Sequence, residues 1–365
     1  MRNSGKSLSA LLFEGSKPTT TRRHTLSSLL FEAAGDAEAA AEVLKDMPDL
    51  DVGPGAMKKW LNGPGSDPKV RAFLAKGQAD GNKVDEKVSV KSTAKTLGPL
   101  VPTQNEIELG KSVGYPLSSI EKLRKVVSGG TIVIGPADNN KIIVSDNIIL
   151  DGHHRWSQAL AAAGPDAKIA AYDIKISGSP SEKLAFSQIS IAAAIPSGQV
   201  PDAKAGGKNI LGKTGEQIKA DILESVGTPV EDGKILSEDY ITELCLEPEL
   251  ASKVGVDSSS CDAYVKAQDS NDKSKIEKEL ANVREKVASH FGKNLAMMNQ
   301  PAEGSPPRVD MPQFDRATYP IPTQIDAIKT GKVNFKPRFV AKEGKTSDDN
   351  LVMERWLRLA GLTKG

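Results

Sequence analysis

Five consecutive residues, Asp151-Gly152-His153-His154-Arg155, combine the groups that phosphate chemistry needs. Glycine lets backbone approach a ligand, and the free N–H groups that open a helix form an anion site. His153, His154 and Arg155 add hydrogen-bonding or cationic groups, and a guanidinium can engage two phosphate oxygens at once. Asp151 supplies a carboxylate that can hold Mg²⁺ on a polyphosphate or take a proton from an attacking group. The chain has four histidines and two of them are adjacent here. The bland alternative for either ring is a helix cap or a core hydrogen bond. Zinc is the competing chemistry, but adjacent histidines at a helix start point in different directions and no Cys or Glu lies at ligand spacing.

A second stretch, Gly207-Lys208-Asn209-Ile210-Leu211-Gly212-Lys213-Thr214, satisfies the P-loop pattern letter for letter. Its context argues against that assignment. A P-loop follows a buried hydrophobic strand, whereas this run follows Pro201-Asp202-Ala203-Lys204-Ala205. The stretch reads instead as a flap over the pocket, from which Lys208 and Lys213 can still meet phosphate.

The elements that must position the five-residue run can be read from periodicity. Val88 and Val90 alternate with polar residues as a strand, and Pro102-Thr103-Gln104-Asn105-Glu106-Ile107 reads as a strand entering a helix. Ser118 and Ser119 cap a helix through Ile120, Leu123 and Val127 that Gly129-Gly130 stops. Strands are expected at Thr131 to Ile134, Ile142 to Ser145 and Ile148 to Leu150, the last running straight into Asp151. Trp156, Ala159, Leu160 and Ala163 keep helical spacing up to Gly164-Pro165, and Ile169 to Ile176 alternates as a final strand. The order β, α, β, β, α, β implies an α/β (α+β) fold with a small mixed sheet.

The run Ile148 to Trp156, with the upstream Pro102-Thr103-Gln104 and the intervening strand pair, resembles the ParB/sulfiredoxin superfamily. In that superfamily ParB carries a GERR-type box, sulfiredoxin a GCHR-type box and free-serine kinases a DGHHR-like box, which is the nearest match. The resemblance covers roughly residues 85 to 177. It implies that Gly152, His153, His154 and Arg155 contact the phosphates of ATP or CTP, with Mg²⁺ held by Asp151 and Gln104 across the same pocket. Glu106, the carboxylate nearest the first motif, is then a candidate base, beside Asp151 and His154 as catalytic groups. Two departures limit the carry-over. The box lacks the cysteine of sulfiredoxin, and no strongly basic helix-turn-helix follows it, which weakens sequence-specific DNA binding.

The rest of the chain reads as flanks. Residues 1–84 hold a duplicated amphipathic element and a Gly/Pro-rich linker around Trp60; 85–180 form the nucleotide-binding domain; 181–300 are mostly helical, with helices over Gly215 to Val226 and Lys273 to Met298; and 301–365 are Pro-rich and extended, closing on a helix over Leu351 to Leu362. The duplicated copies, Ser7 to Glu14 and Thr25 to Glu32, each carry leucines at helical spacing. Each also ends Leu-Phe-Glu, resembling the site cut by prohead proteases of T-even-like phages. Residues 1–32 are therefore expected to dock a partner as helices, or to be cut by such a protease in a phage particle. A packaged virion protein with a ParB-like nucleic-acid-binding or nuclease domain is accordingly the alternative to an enzyme of phosphate transfer or hydrolysis, and DNA the alternative partner.

Composition narrows the partners. Lys plus Arg total 48 and Asp plus Glu 47, so no global charge excess points to nucleic acid or membrane. No stretch approaches the roughly 18 to 20 apolar residues of a membrane helix. Aromatics are only 4% of the 365 residues, which suggests a modest core with loose flanks. Cys245 and Cys261 show no metal-ligand spacing and make no disulfide framework, so the expected setting is the reducing cytoplasm of the host cell or a packaged particle.

Overall fold

A computed structural model describes residues 42–43, 46–74, 88–135, 140–176, 178–194, 200, 206–230, 233–312 and 321–329. Its elements in chain order begin with helices α1 (Pro54–Asn62) and α2 (Pro68–Leu74), strand β1 (Val90–Thr96), helices α3 (Leu109–Ser118) and α4 (Ile120–Val127) and strand β2 (Thr131–Ile132). Strands β3 (Ile142–Ser145) and β4 (Ile148–Asp151) then lead into helix α5 (His153–Ala163), strand β5 (Lys168–Ile174) and helix α6 (Pro180–Ala194). The C-terminal part holds α7 (Gly215–Glu224), the hairpin β6 (Pro229–Val230) and β7 (Gly233–Lys234), α8 (Glu238–Cys245), α9 (Pro248–Lys253), α10 (Ser258–Asp269), α11 (Lys273–Leu295) and α12 (Ile321–Lys329). The class is α+β. No described helix is long and apolar enough to cross a membrane.

The main sheet has the order β1-β5-β3-β4. β5 pairs antiparallel with β1 on one side and parallel with β3 on the other, while β3 and β4 form an antiparallel pair. β2 also runs parallel to β5, at Lys168 and Ile169, just before the stretch that β3 occupies at Ala171 to Asp173. β2 and β3 therefore lie end to end along one edge of β5. Ile134, Gly135 and Asn140, between these strands, line the site described below.

Side chains that alternate along the strands feed two separate cores. Ile142, Val144, Ile149, Ile169 and Ala171 face one side and pack with Leu109, Val113, Leu123, Trp156, Leu160 and the helices after residue 215. Ile143, Leu150, Tyr172 and Ile174 face the other and pack with Met57, Trp60, Leu61, Phe186, Ile189 and Ile325. The sheet is thus buried on both faces between helical layers. That explains why every residue of β5 after the exposed Lys168 is buried, where a half-exposed strand would alternate.

Three expectations are corrected here. The Gly/Pro-rich stretch around Trp60 is not a linker but carries α1, in which Met57, Trp60 and Leu61 are buried. Pro54 occupies its first turn, Gly53 (φ 94°) precedes it and Gly63 closes it, so these residues mark the ends of a helix. Residues 301–312, the described part of the Pro-rich stretch, form a strap, not a free extended tail: Ala302 N–H donates to Pro102 O (2.9 Å), Lys58 Nζ to Val309 O (2.5 Å) and Gln188 Nε2 to Asp310 O (3.1 Å). Cys245 and Cys261 are joined in a disulfide that ties the end of α8 to α10, with Cα atoms 4.9 Å apart. The duplicated segment of residues 1–32 and the helix expected over Leu351 to Leu362 lie outside the described residues.

Candidate functional site

β4 buries Ile149 and Leu150 and ends at Asp151, after which the chain must turn sharply into α5. Gly152 makes that turn in the left-handed region, with φ 95° and ψ 23°. A Cβ there would come within 2.6 Å of Ile142 Cγ2 and 2.8 Å of Arg155 Nη2, so glycine is required by both backbone and space. No side chain caps α5. The first N–H groups of a helix have no partner within the helix, and the macrodipole places partial positive charge at this end.

Thr103 ties the upstream motif to this turn. Its N–H donates to His153 Nε2 (3.0 Å) and its hydroxyl to Ile149 O (2.6 Å). Gln104, next in the chain, is 5% exposed and lines the cleft in front of α5. Its Nε2 is fully buried without a hydrogen-bond partner. A buried amide left in that condition costs on the order of 1–3 kcal/mol, and the chain itself supplies no acceptor for it.

The cleft measures about 1020 Å³ and is bounded by α3, the start of α5, Ile134, Gly135 and Asn140 between β2 and β3, the β6–β7 hairpin and the strap. Lys111, Lys122, Arg155 and Arg308 line it against two carboxylates, Glu108 and Asp151, among the described residues. Glu108 is held by Lys111 at 3.1 Å. Asp151 is held by Arg155, whose Nη2 lies 2.6 Å from Oδ2, while Nη1 donates to Lys141 O at 3.0 Å. The Arg155 fork is therefore engaged in fixing the turn.

Both histidines are neutral. His153 Nε2 accepts from a backbone N–H and His154 Nε2 from Arg308 Nη1 (2.9 Å), so the proton of each ring is on Nδ1. Burial, reinforced by Arg308 and Arg155 and opposed by Asp151, pushes His153 down to about 3. Burial, with Arg308 as the next contributor, pushes His154 down to about 2. They act as hydrogen-bonding groups, not as cations.

Of the residues singled out from sequence, Gln104, Asp151, Gly152, His153, His154 and Arg155 meet at this cleft, and Glu106, Lys208 and Lys213 do not line it. Glu108 stands where Glu106 was expected. The flap is pinned: Lys208 O accepts from Leu109 N–H (2.8 Å) and Ile210 N–H donates to Ile107 O (2.9 Å). Lys208 pairs with Asp221 and Glu224, and Lys213 with Asp221 at 2.6 Å. Thr214 then caps α7 in a capping box with Gln217. A P-loop lysine would point at phosphate, whereas Lys213 points at its own helix. Arg308 and Glu108 were missed. Glu108 precedes α3 with nothing to distinguish it from Glu106, and Arg308 is brought to His154 by a strap 154 residues downstream. No family model, curated protein or solved structure matches the chain.

Proposed function

We propose that the protein binds a nucleoside triphosphate, ATP or CTP, with its phosphates at the start of α5, in the manner of the ParB/sulfiredoxin-like proteins that the Asp151 to Arg155 box resembles. The buried, unpartnered Gln104 Nε2 carries this reading: Gln104 lines a cleft with twice as many cations as carboxylates among the described residues, beside a helix start that no side chain caps. In this arrangement Gln104 donates to a phosphate oxygen, and Arg308 and Lys111 balance its charge. His154 orients Arg308 through its Nε2 lone pair, which removes His154 as a base. Glu108, on the cleft wall, is the carboxylate that can take a proton from an attacking water or hydroxyl in phosphate hydrolysis or transfer.

Mg²⁺ fits this site poorly as a resident ion. No group of three His, Cys, Asp or Glu among the described residues could hold a metal, and the Asp151 carboxylate is paired to Arg155. Mg²⁺ would arrive on the triphosphate, and no step is assigned to it.

The test is thermal unfolding with ATP, CTP, GTP and UTP, each with and without Mg²⁺, together with phosphate release. A ligand at about 100 times its Kd adds roughly 2.7 kcal/mol to stability, so at least one triphosphate should raise Tm by several degrees. Gln104→Leu and Arg308→Leu should abolish the rise. A Tm unmoved by every nucleotide in the native protein would sink the reading.

One observation favours the second reading, a packaged phage protein with DNA or a prohead protease as partner. A disulfide such as Cys245–Cys261 persists outside reducing cytoplasm, including in virions. The Leu-Phe-Glu ends at Glu14 and Glu32 agree with that origin.

A further inference from the structure

Arg308, Val309 and Asp310 form a single 3₁₀ turn in the strap, closed by Asp310 N–H on Pro307 O (3.0 Å) and Met311 N–H on Arg308 O (3.1 Å). From this turn the Arg308 side chain reaches the cleft, where it donates to His154. The backbone of the turn is held from elsewhere. Lys58 Nζ on α1 donates to Val309 O (2.5 Å), and Gln188 Nε2 on α6 donates to Asp310 O (3.1 Å). The Asp310 carboxylate lies against the first turn of α1: a Cβ on Gly55 would come within 2.9 Å of its Oδ2, and negative charge is favoured at that end of a helix. α1 and α6 pack on the face of the sheet opposite to α3 and α5.

Building on the proposed phosphate site, we infer that Lys58 and Gln188 are positioning residues for it: from the other face of the sheet they fix the 308–310 turn and, through it, the Arg308 guanidinium at the cleft. An arginine serves a phosphate best when its long stem starts from a fixed point, because freedom frozen on binding is subtracted from affinity. Val309 is 46% exposed, so it gives the turn no apolar anchor, and Met311 is the next side chain to enter the core. The polar holds fall on the two carbonyls that follow Arg308 directly. Both donors are buried and neither lines the cleft, so they act on it only through the turn. Gln188 keeps its contact although its Oε1 is buried without a hydrogen-bond partner, an arrangement that an apolar core residue of similar size would avoid.

The test is calorimetric titration of the full chain with ATP and CTP, together with the ring-nitrogen NMR signal of His154, which reports the bond from Arg308. Gln188→Met removes the donor to Asp310 O and the unpartnered Oε1 with it, so the fold should tolerate the change. Gln188→Met and Lys58→Met should each weaken the better-bound triphosphate by roughly 2- to 30-fold, the span of coupling through packed neighbours, and should shift the His154 signal. Lys58→Arg, which keeps a cationic donor, should restore both. Leu61→Val controls for a merely structural role: it loosens the same core from α1 without touching the bonds of the strap, and should lower Tm while leaving affinity and the His154 signal as they are. Native affinity with an unmoved His154 signal in both Lys58→Met and Gln188→Met overturns the inference, as does an equal loss of affinity in Leu61→Val. If the native protein binds no triphosphate, the phosphate reading fails. A His154 signal that still moves then upholds the hold on Arg308, and one that does not move overturns that as well.

Discussion

Replacing Arg155 with alanine is expected to cost about 3–5 kcal/mol of folding stability, the range for removing one partner of a buried ion pair. The Arg155 side chain is 6% exposed and that of Asp151 15%, and their 2.6 Å contact is buried between β4 and α5. Without the guanidinium, the largely buried Asp151 carboxylate loses its cation at 2.6 Å, and Lys141 O loses a donor. In urea at pH 7 the midpoint should fall sharply. The double variant Asp151→Asn/Arg155→Ala should recover part of the loss, because the unpaired charge is gone. An Arg155→Ala midpoint equal to that of the native chain would show that the fork is not committed to the fold and is available to a ligand.

Acid should destabilise the protein well above the pH at which carboxylates titrate. His153 is held neutral down to about pH 3, chiefly by burial, whereas in the unfolded chain it titrates near 6.5. Its folded value is depressed, so between those limits the unfolded state binds a proton that the folded state excludes. Stability is then fully present above pH 6.5 and is lost as pH falls toward 3. The slope approaches roughly 1.4 kcal/mol per pH unit as the unfolded ring becomes fully protonated, which gives about 2.3 kcal/mol from His153 between pH 6.5 and 4.5. His154, lowered by burial and by Arg308, and His290, lowered by burial, act in the same direction. His153→Gln, which keeps a hydrogen-bonding side chain without the titration, should reduce the slope by about one proton. Stability that stays flat from pH 6.5 to 4.5 would refute the buried, neutral ring.

How much of this was legible in the sequence follows from range. Elements with local signals are where the sequence implied them: Ser119 precedes α4, Gly164 closes α5, and Thr214 caps α7. The turn at Gly152 was legible because a strand, a glycine and a helix start are adjacent in the chain. The pairing of Gln104 with that turn rests on the resemblance, and the structure supplies its means in Thr103, which bonds to Ile149 and His153 at once. Punctuation misled where it was dense. Gly53, Pro54 and Gly63 look like linker residues yet bound a helix whose Trp60 is buried. The electrostatic state of the site was not legible at all, since the neutrality of His154 and the burial of Arg155 depend on Arg308 and Lys141, contacts that no local pattern encodes.

The central claim is that phosphate binds where α5 begins. The most direct measurement is a crystal structure of the full chain with a non-hydrolysable ATP or CTP analogue. The account predicts phosphate oxygens within hydrogen-bond distance of Gln104 Nε2 and of the first N–H groups of α5, with Arg308 beside them. Analogue density elsewhere, with Gln104 Nε2 still unpartnered and the start of α5 facing solvent alone, would contradict it.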